Sequence, residues 1–250
     1  MKVALVTGAN TGIGLAIAER FLADGYAVGY ATAGQDEKHE GPYQELVRRY
    51  GDDHVHWVWG DLSDAAVPAK LLEDTVRALG SVDVLVNNAG LSTAKPFLEL
   101  TVDDFDLTFA VDVRASFLLA QAAARQMEKG GSIVNITSVH EEISQPGSVA
   151  YDAAKAALRS VTRTLALELA SKGVRLNNVA PGLIATPLTA KKINDPERAA
   201  HDRKQIPMHR PGEPHEVANV VLFLASDAAS YVTGSSYFVD GGLLRNIGGA

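Results

Sequence analysis

The chain contains no cysteine, which excludes disulfide bonds, thiolate zinc sites and a cysteine nucleophile. That absence fits a reducing, cytoplasmic setting. Unbroken apolar runs stay well short of the ~18 residues of a membrane span, so no membrane partner is expected. Basic residues are nowhere clustered, and the net charge is −7. With nothing gathered to neutralise phosphates, a nucleic-acid partner is not expected either. The opening Met1-Lys2-Val3 runs into a short apolar segment and then glycines with no cleavage-site pattern, unlike a signal peptide.

What is present describes an ordinary globular chain. Its 250 residues, 46% apolar and 21% charged, suffice for a sizeable core in one domain, residues 1–250. Lys2 to Thr7 reads as a buried strand; Gly8-Ala9-Asn10-Thr11-Gly12-Ile13-Gly14 follows at once and opens a helix from Leu15 to Asp24. Strand, glycine turn and helix start together set backbone N–H groups at a helix N-terminus, where a pyrophosphate can sit. The second strand, Ala27 to about Tyr30, leads into Ala31-Thr32-Ala33-Gly34. Neither a carboxylate for the ribose hydroxyls nor an arginine for a 2′-phosphate stands there, which leaves NAD and NADP undecided. Lys38 and His39 beyond it could approach a phosphate, but the reading taken for them is a polar loop.

Asp61-Leu62 follows the strand Val55–Trp59, and Asn87-Asn88-Ala89-Gly90 ends the strand begun at Val82. Parallel sheets bind ligands at the carboxyl ends of their strands, and small residues there admit a flat ligand. A helix over about Val102 to Met127 leads to the strand Ser132–Ile136, then Thr137-Ser138-Val139-His140-Glu141. Next comes the helix of Tyr151-Asp152-Ala153-Ala154-Lys155, supported by Leu158, Val161, Leu165 and Leu169 at steps of three and four. Tyr and Lys four apart share one helix face. An ammonium beside a phenol favours phenolate, so such a tyrosine could exchange a proton with an alcohol or carbonyl. Ser138 either bonds the same oxygen or caps its own turn. The strand Arg175–Ala180 meets Pro181-Gly182, Ile184 and Thr186-Pro187. A polar stretch from Leu188 to Pro211 reads as a flexible substrate lid. A helix from Glu213 to Leu224 and a strand Ser236–Val239 complete the pattern.

Six or seven such β–α units behind a phosphate turn predict an α/β chain. The expected form is a single-domain Rossmann fold, a doubly wound parallel sheet with helices on both faces. Over nearly its full length the sequence resembles the short-chain dehydrogenase/reductase family. The motifs carrying the likeness are Thr7 to Gly14, Asp61-Leu62, Asn87 to Gly90, and Pro181-Gly182 with Thr186. Most specific are the Tyr151-x-x-x-Lys155 pair and Ser138, thirteen residues before the tyrosine. The resemblance implies hydride transfer between NAD or NADP and an alcohol or carbonyl, with Tyr151 as general acid/base. It implies that Lys155 lowers the tyrosine pKa and holds the nicotinamide ribose, and that Ser138 orients the carbonyl. The cofactor would lie on Gly8, Asn10, Thr11, Gly12, Ile13, Gly14, Asp61, Leu62, Asn88, Ala89, Gly90, Tyr151, Lys155, Pro181, Gly182, Ile184 and Thr186.

One position departs from the family pattern. An asparagine is usual on the long central helix, and alignment on Phe117 puts Asp112 there. Asp112 is taken as the fourth catalytic residue, whose ionised carboxylate would raise the pKa values of Tyr151 and Lys155. The segment Ser138-Val139-His140-Glu141 is similar to that of the family's glucose and other aldose 1-dehydrogenases. This implies a sugar or polyol, touched by Ser138, His140, Glu141, Tyr151 and Gly182. The alternatives are a 3-oxoacyl or general ketone reductase using NADPH and a nucleotide-binding protein without activity. The six histidines other than His140 lack metal-binding helix spacing, and no metal is expected. The resemblance also implies a homotetramer, with the alanines of 115–124 and 153–157 and the tail from Asp240 to Ile247 as contact surfaces.

Overall fold

The computed structural model describes residues 1–246; Ile247, expected at a subunit contact, lies outside the described residues. The first strand, β1 (Val3–Thr7), is buried along its whole length. It is the third strand across a seven-stranded sheet with order β3-β2-β1-β4-β5-β6-β7. The others are β2 (Ala27–Thr32), β3 (Val55–Trp59), β4 (Val84–Asn87), β5 (Gly131–Ile136), β6 (Val174–Pro181) and β7 (Ser236–Val239), every neighbouring pair parallel. Strands covered on both faces read as unbroken apolar runs rather than alternating ones, and β1, β2 and β4 do so.

Successive residues of each strand feed opposite faces. Ala4, Val6, Val84 and Val86 pack against Ile17 and Phe21 of α1 (Gly12–Ala23) and Val217 and Val221 of α9 (Pro214–Ala225). Leu5, Leu85, Ile133 and Leu176 pack on the other side. There they meet Leu71 and Leu72 of α3 (Val67–Leu79) and Leu119 and Ala123 of α5 (Ala115–Gln126). Each buried Val, Leu, Ile or Phe among them contributes about 1.5–3 kcal/mol. The remaining helices are α2 (Glu37–Tyr50), α4 (Val102–Phe109), α6 (Val149–Leu169), α7 (Ala190–Asn194) and α8 (Pro196–Gln205).

Several elements differ from the sequence reading. Strand β2 runs on to Thr32, and α2 begins at Glu37, so His39 lies in a helix rather than a polar loop. The long central helix contains a π turn, Ala110–Arg114, between α4 and α5. It matches a membrane span in length and hydropathy, but 56% of its most apolar window is buried within the fold, as in a core helix. The stretch after Leu188 is no plain loop either. Asp195 accepts the N–H groups of Glu197 and Arg198 at 3.0 Å, and Pro196 takes the first turn of α8.

Candidate active site

Strand order reverses at β1, with β2 to one side and β4 to the other, and such a point opens a crevice at the carboxyl ends. Side chains fix its floor. The Asn88 amide donates to the carbonyls of Thr7 (2.8 Å) and Gly8 (3.2 Å), while the Thr7 hydroxyl accepts the N–H groups of Asn88 and Ala89, both at 3.0 Å. The glycine turn closes tightly over this knot: a Cβ on Gly14 would lie 2.1 Å from the Gly8 carbonyl oxygen. Backbone therefore approaches the crevice where any side chain would block it, and the N-terminus of α1 opens into it.

One cavity of about 620 Å³ runs along these strand ends. Gly8, Asn10, Thr11, Gly12, Ile13 and Gly14 line it at the turn, with Asp61 and Leu62 after β3 and Asn88, Ala89 and Gly90 after β4. Pro181, Gly182, Ile184 and Thr186 line it after β6. Ser138, Tyr151 and Lys155 face the same space. This backbone cradle and its run of glycines fit an extended dinucleotide, whose nicotinamide supplies the hydride chemistry when bound.

Lys155 is held from several sides. Its Nζ lies 2.6 Å from Asp112 Oδ1, donates to the Ile136 carbonyl at 3.2 Å, and sits 5.4 Å from the centre of the Tyr151 ring. The π turn brings Asp112 inward from the central helix, fully buried, where Oδ2 accepts the Leu91 N–H at 2.9 Å. Gly90 makes room for the pair, because a Cβ there would lie 2.7 Å from Asp112 Oδ1. Burial works to lower the Lys155 pKa, but the Asp112 carboxylate, with Tyr151 and Glu141, outweighs it and holds the ammonium above its ordinary value.

Two residues expected at the substrate stand apart from the cavity lining. Neither His140 nor Glu141 lines the cavity. The 3₁₀ turn Val139–Glu141 swings Glu141 inward, where its buried carboxylate lies 3.4 Å from Arg159 Nε. The His140 Nδ1 lies 2.6 Å from Asp152 Oδ1, and its ring meets that of Tyr151 edge-on at 5.5 Å. His140 therefore packs against the Tyr151 ring and pairs with Asp152. Asp112 also stays out of the cavity and reaches it only through Lys155.

Further residues line the cavity beside those of the motifs. Leu91, Leu107, Val111 and Leu188 form apolar walls, Ser92 adds a hydroxyl, and Ala33 and His39 close the far end. Ala33 and Leu91 sit just past strand ends, a signal the sequence did carry. His39 and Leu107 come from helices whose placement only the tertiary fold decides.

A phosphate-cradling turn, a Tyr–Lys pair and a serine along one crevice of a parallel sheet define a nicotinamide-dependent oxidoreductase. The family profile described as Enoyl-(Acyl carrier protein) reductase matches residues 8–244. A Glucose 1-dehydrogenase of Gluconobacter oxydans (strain 621H) is 38% identical over 245 residues, 97% of this chain and 91% of that one. The L-rhamnose 1-dehydrogenase (NAD(P)(+)) of Azotobacter vinelandii is 36% identical over 251 residues, 98% of each chain. A crystal structure of acetoin dehydrogenase from Enterobacter cloacae superposes with TM-score 0.87 at 39% identity, covering 98% of this chain and 96% of that one. The chain belongs to the short-chain dehydrogenase/reductase family. It is an NAD(P)-dependent oxidoreductase acting on CH–OH groups.

Proposed function

We propose that the chain interconverts a compact secondary alcohol, of the vicinal-diol or hydroxyketone kind, and its ketone. The character of the cavity wall carries this reading. Away from the glycine turn, Leu91, Leu107, Val111 and Leu188 line the cavity together with Ser138 and Tyr151, and Ser92 adds a hydroxyl. Thr189 lines the cavity too, but its hydroxyl is already donated to the Ile184 carbonyl at 2.5 Å. A small substrate with one or two oxygens matches that supply. A hexose would leave hydroxyls unpaired, at about 1–3 kcal/mol for each one buried. The acetoin dehydrogenase among the similar structures supports the same choice.

In the reductive direction Tyr151 gives its phenolic proton to the carbonyl oxygen, and Ser138 donates a hydrogen bond that orients it. Lys155, charged and anchored by Asp112, stabilises the phenolate left behind and holds the nicotinamide ribose. Oxidation reverses these steps. The segment 188–211 serves as a lid over the alcohol. The enzyme works as a homotetramer, supported by exposed apolar side chains along the central helices: Phe105, Phe117, Val149 and Leu167. The cytoplasm suits a chain that has no thiol to oxidise. A sugar or polyol substrate is the second reading, and the two sugar dehydrogenases among the relatives favour it.

The test is the rate of NAD(P)H formation with small vicinal diols beside aldoses, for the wild type and Tyr151→Phe. Diol turnover should exceed aldose turnover in kcat/KM, and Tyr151→Phe should lower it by about 10²–10⁴ while dinucleotide binding persists. Higher kcat/KM on aldoses would replace the diol reading with the sugar one. Dinucleotide binding without turnover of either class, or of ketones in reverse, would favour a binding protein.

A further inference from the structure

Ser138 and Tyr151 meet one substrate oxygen yet stand on different elements. Ser138 caps the 3₁₀ turn Val139–Glu141, and Tyr151 lies in the first turn of α6. The segment 142–148 between them is irregular chain, which by itself would leave their spacing loose. Side-chain contacts have to set it.

Asp152, next to the tyrosine, uses both carboxylate oxygens for this. His140 Nδ1 lies 2.6 Å from Oδ1, and Oδ2 accepts the Gln145 N–H at 3.0 Å. A carboxylate only accepts, so Nδ1 is the donor. The two side chains are 20% and 12% exposed, so water competes little for the bond. The backbone of His140 reaches the other way, its N–H donating to Ser138 Oγ at 3.2 Å. By accepting there, the serine keeps its hydroxyl proton to donate to a substrate oxygen. A continuous path, Ser138 to His140 to Asp152, thus joins the serine to the residue beside the tyrosine, although neither His140 nor Asp152 lines the cavity. The rest of the segment has anchors of its own. Arg159 Nη2 lies 2.5 Å from Glu142 Oε1, and the Lys95 N–H donates to the Gly147 carbonyl at 2.9 Å. Loss of the His140–Asp152 bond would therefore free the serine end and leave the segment attached.

We propose that His140 and Asp152 are positioning residues whose bond sets the Ser138 hydroxyl against the Tyr151 phenol. The proposal rests on the acid/base reading of Ser138 and Tyr151 and adds what holds the two in register. A shift of about 1 Å in such a constellation costs up to about 10²-fold in rate.

The test is a double-mutant cycle in kcat for oxidation of butane-2,3-diol, or of an aldose if that class is the better substrate. His140→Ala should lower kcat by about 10–10²-fold, with dinucleotide affinity by calorimetry within about twofold of wild type. His140→Asn, whose amide can donate from the place of Nδ1, should return kcat to within about threefold of wild type. On a Ser138→Ala background, His140→Ala should change kcat by less than about twofold, since the group it positions is gone. Without cofactor or substrate, Asp152→Ala should speed amide hydrogen exchange at Gln145 by at least about tenfold. Independent, multiplying losses in the cycle overturn the proposal, and so does a His140→Asn variant no faster than His140→Ala. A Ser138→Ala enzyme as fast as wild type overturns instead the serine reading beneath it. Turnover of neither class by the wild type removes the catalytic reading as a whole.

Discussion

At the scale of single residues, the Asp112–Lys155 pair sets the electrostatics behind the phenol. Both groups are buried, and the carboxylate keeps the ammonium charged where burial alone would discharge it. Replacing Asp112 with Asn removes that charge, so Lys155 should lose its proton at lower pH. The alkaline limb of the pH–rate profile should move acidward, with kcat staying within about tenfold of wild type. A loss as deep as that of Tyr151→Phe would overturn this assignment. Stability follows the same pair. Because the folded pKa of Lys155 lies above its ordinary 10.5, the contribution is complete below that value and fades as pH rises through the folded one. Urea melts should therefore weaken above about pH 10. Asp112→Ala, which strands a buried ammonium, should cost about 3–5 kcal/mol at neutral pH. Ser138, Tyr151 and Lys155 were legible in the sequence because their relation is local, a strand end and one helix turn. The inward turn of Glu141 was not legible, because a single 3₁₀ turn decides which way it faces. His39 was assigned to a loop because nothing near it in sequence announces its burial in a helix.

Between elements, a chain of buried amides stitches the sheet to the helix that carries Tyr151. The Asn87 side chain donates to Asn135 (2.8 Å), and Asn135 donates to the Thr162 hydroxyl (2.9 Å). Thr162 donates to Asn178 (2.6 Å), and Asn178 donates to Ser236 (3.1 Å). Strands β4, β5, β6 and β7 are thereby linked, and α6 is clamped in register three turns below the tyrosine. Thr162→Val, close in shape, leaves two asparagines with unmet polar groups. It should lower stability by about 1–3 kcal/mol in thermal melts. The same residue explains why the apolar spacing of α6 was only partly informative: the buried face runs through Ala154, Leu158, Thr162 and Ala166. Strands were read within a residue or two, since each is a short run rich in β-branched and other apolar residues bounded by turn residues. The π turn has no residue signature, and α8 was missed although Asp195-Pro196-Glu197 is a helix start. A segment polar on every side gave the hydrophobic period nothing to show.

For the molecule as a whole, the parallel order could be read from alternating strands and helices, but the surfaces between subunits could not. Ala115, Ala120, Ala123 and Ala124 are buried within their own chain, so they are not the contact face expected of them. The exposed apolar side chains are larger ones, and Leu167, 80% exposed on α6, is the most open of them on that helix. Leu167→Glu should convert the proposed tetramer to smaller species in sedimentation equilibrium, with the monomer's circular dichroism unchanged. An unaltered mass would place the subunit contact elsewhere. The position of β1 has a consequence for the chain while it is being made. This strand emerges first yet belongs inside the sheet, and its contact with Asp83 spans 80 residues. At ordinary rates of synthesis, roughly 4–16 s pass before β4 leaves the ribosome. During that interval one side of an apolar strand has no permanent neighbour. The nascent chain is then most open to mispairing, and a chaperone that shields this edge would raise the yield of folded enzyme.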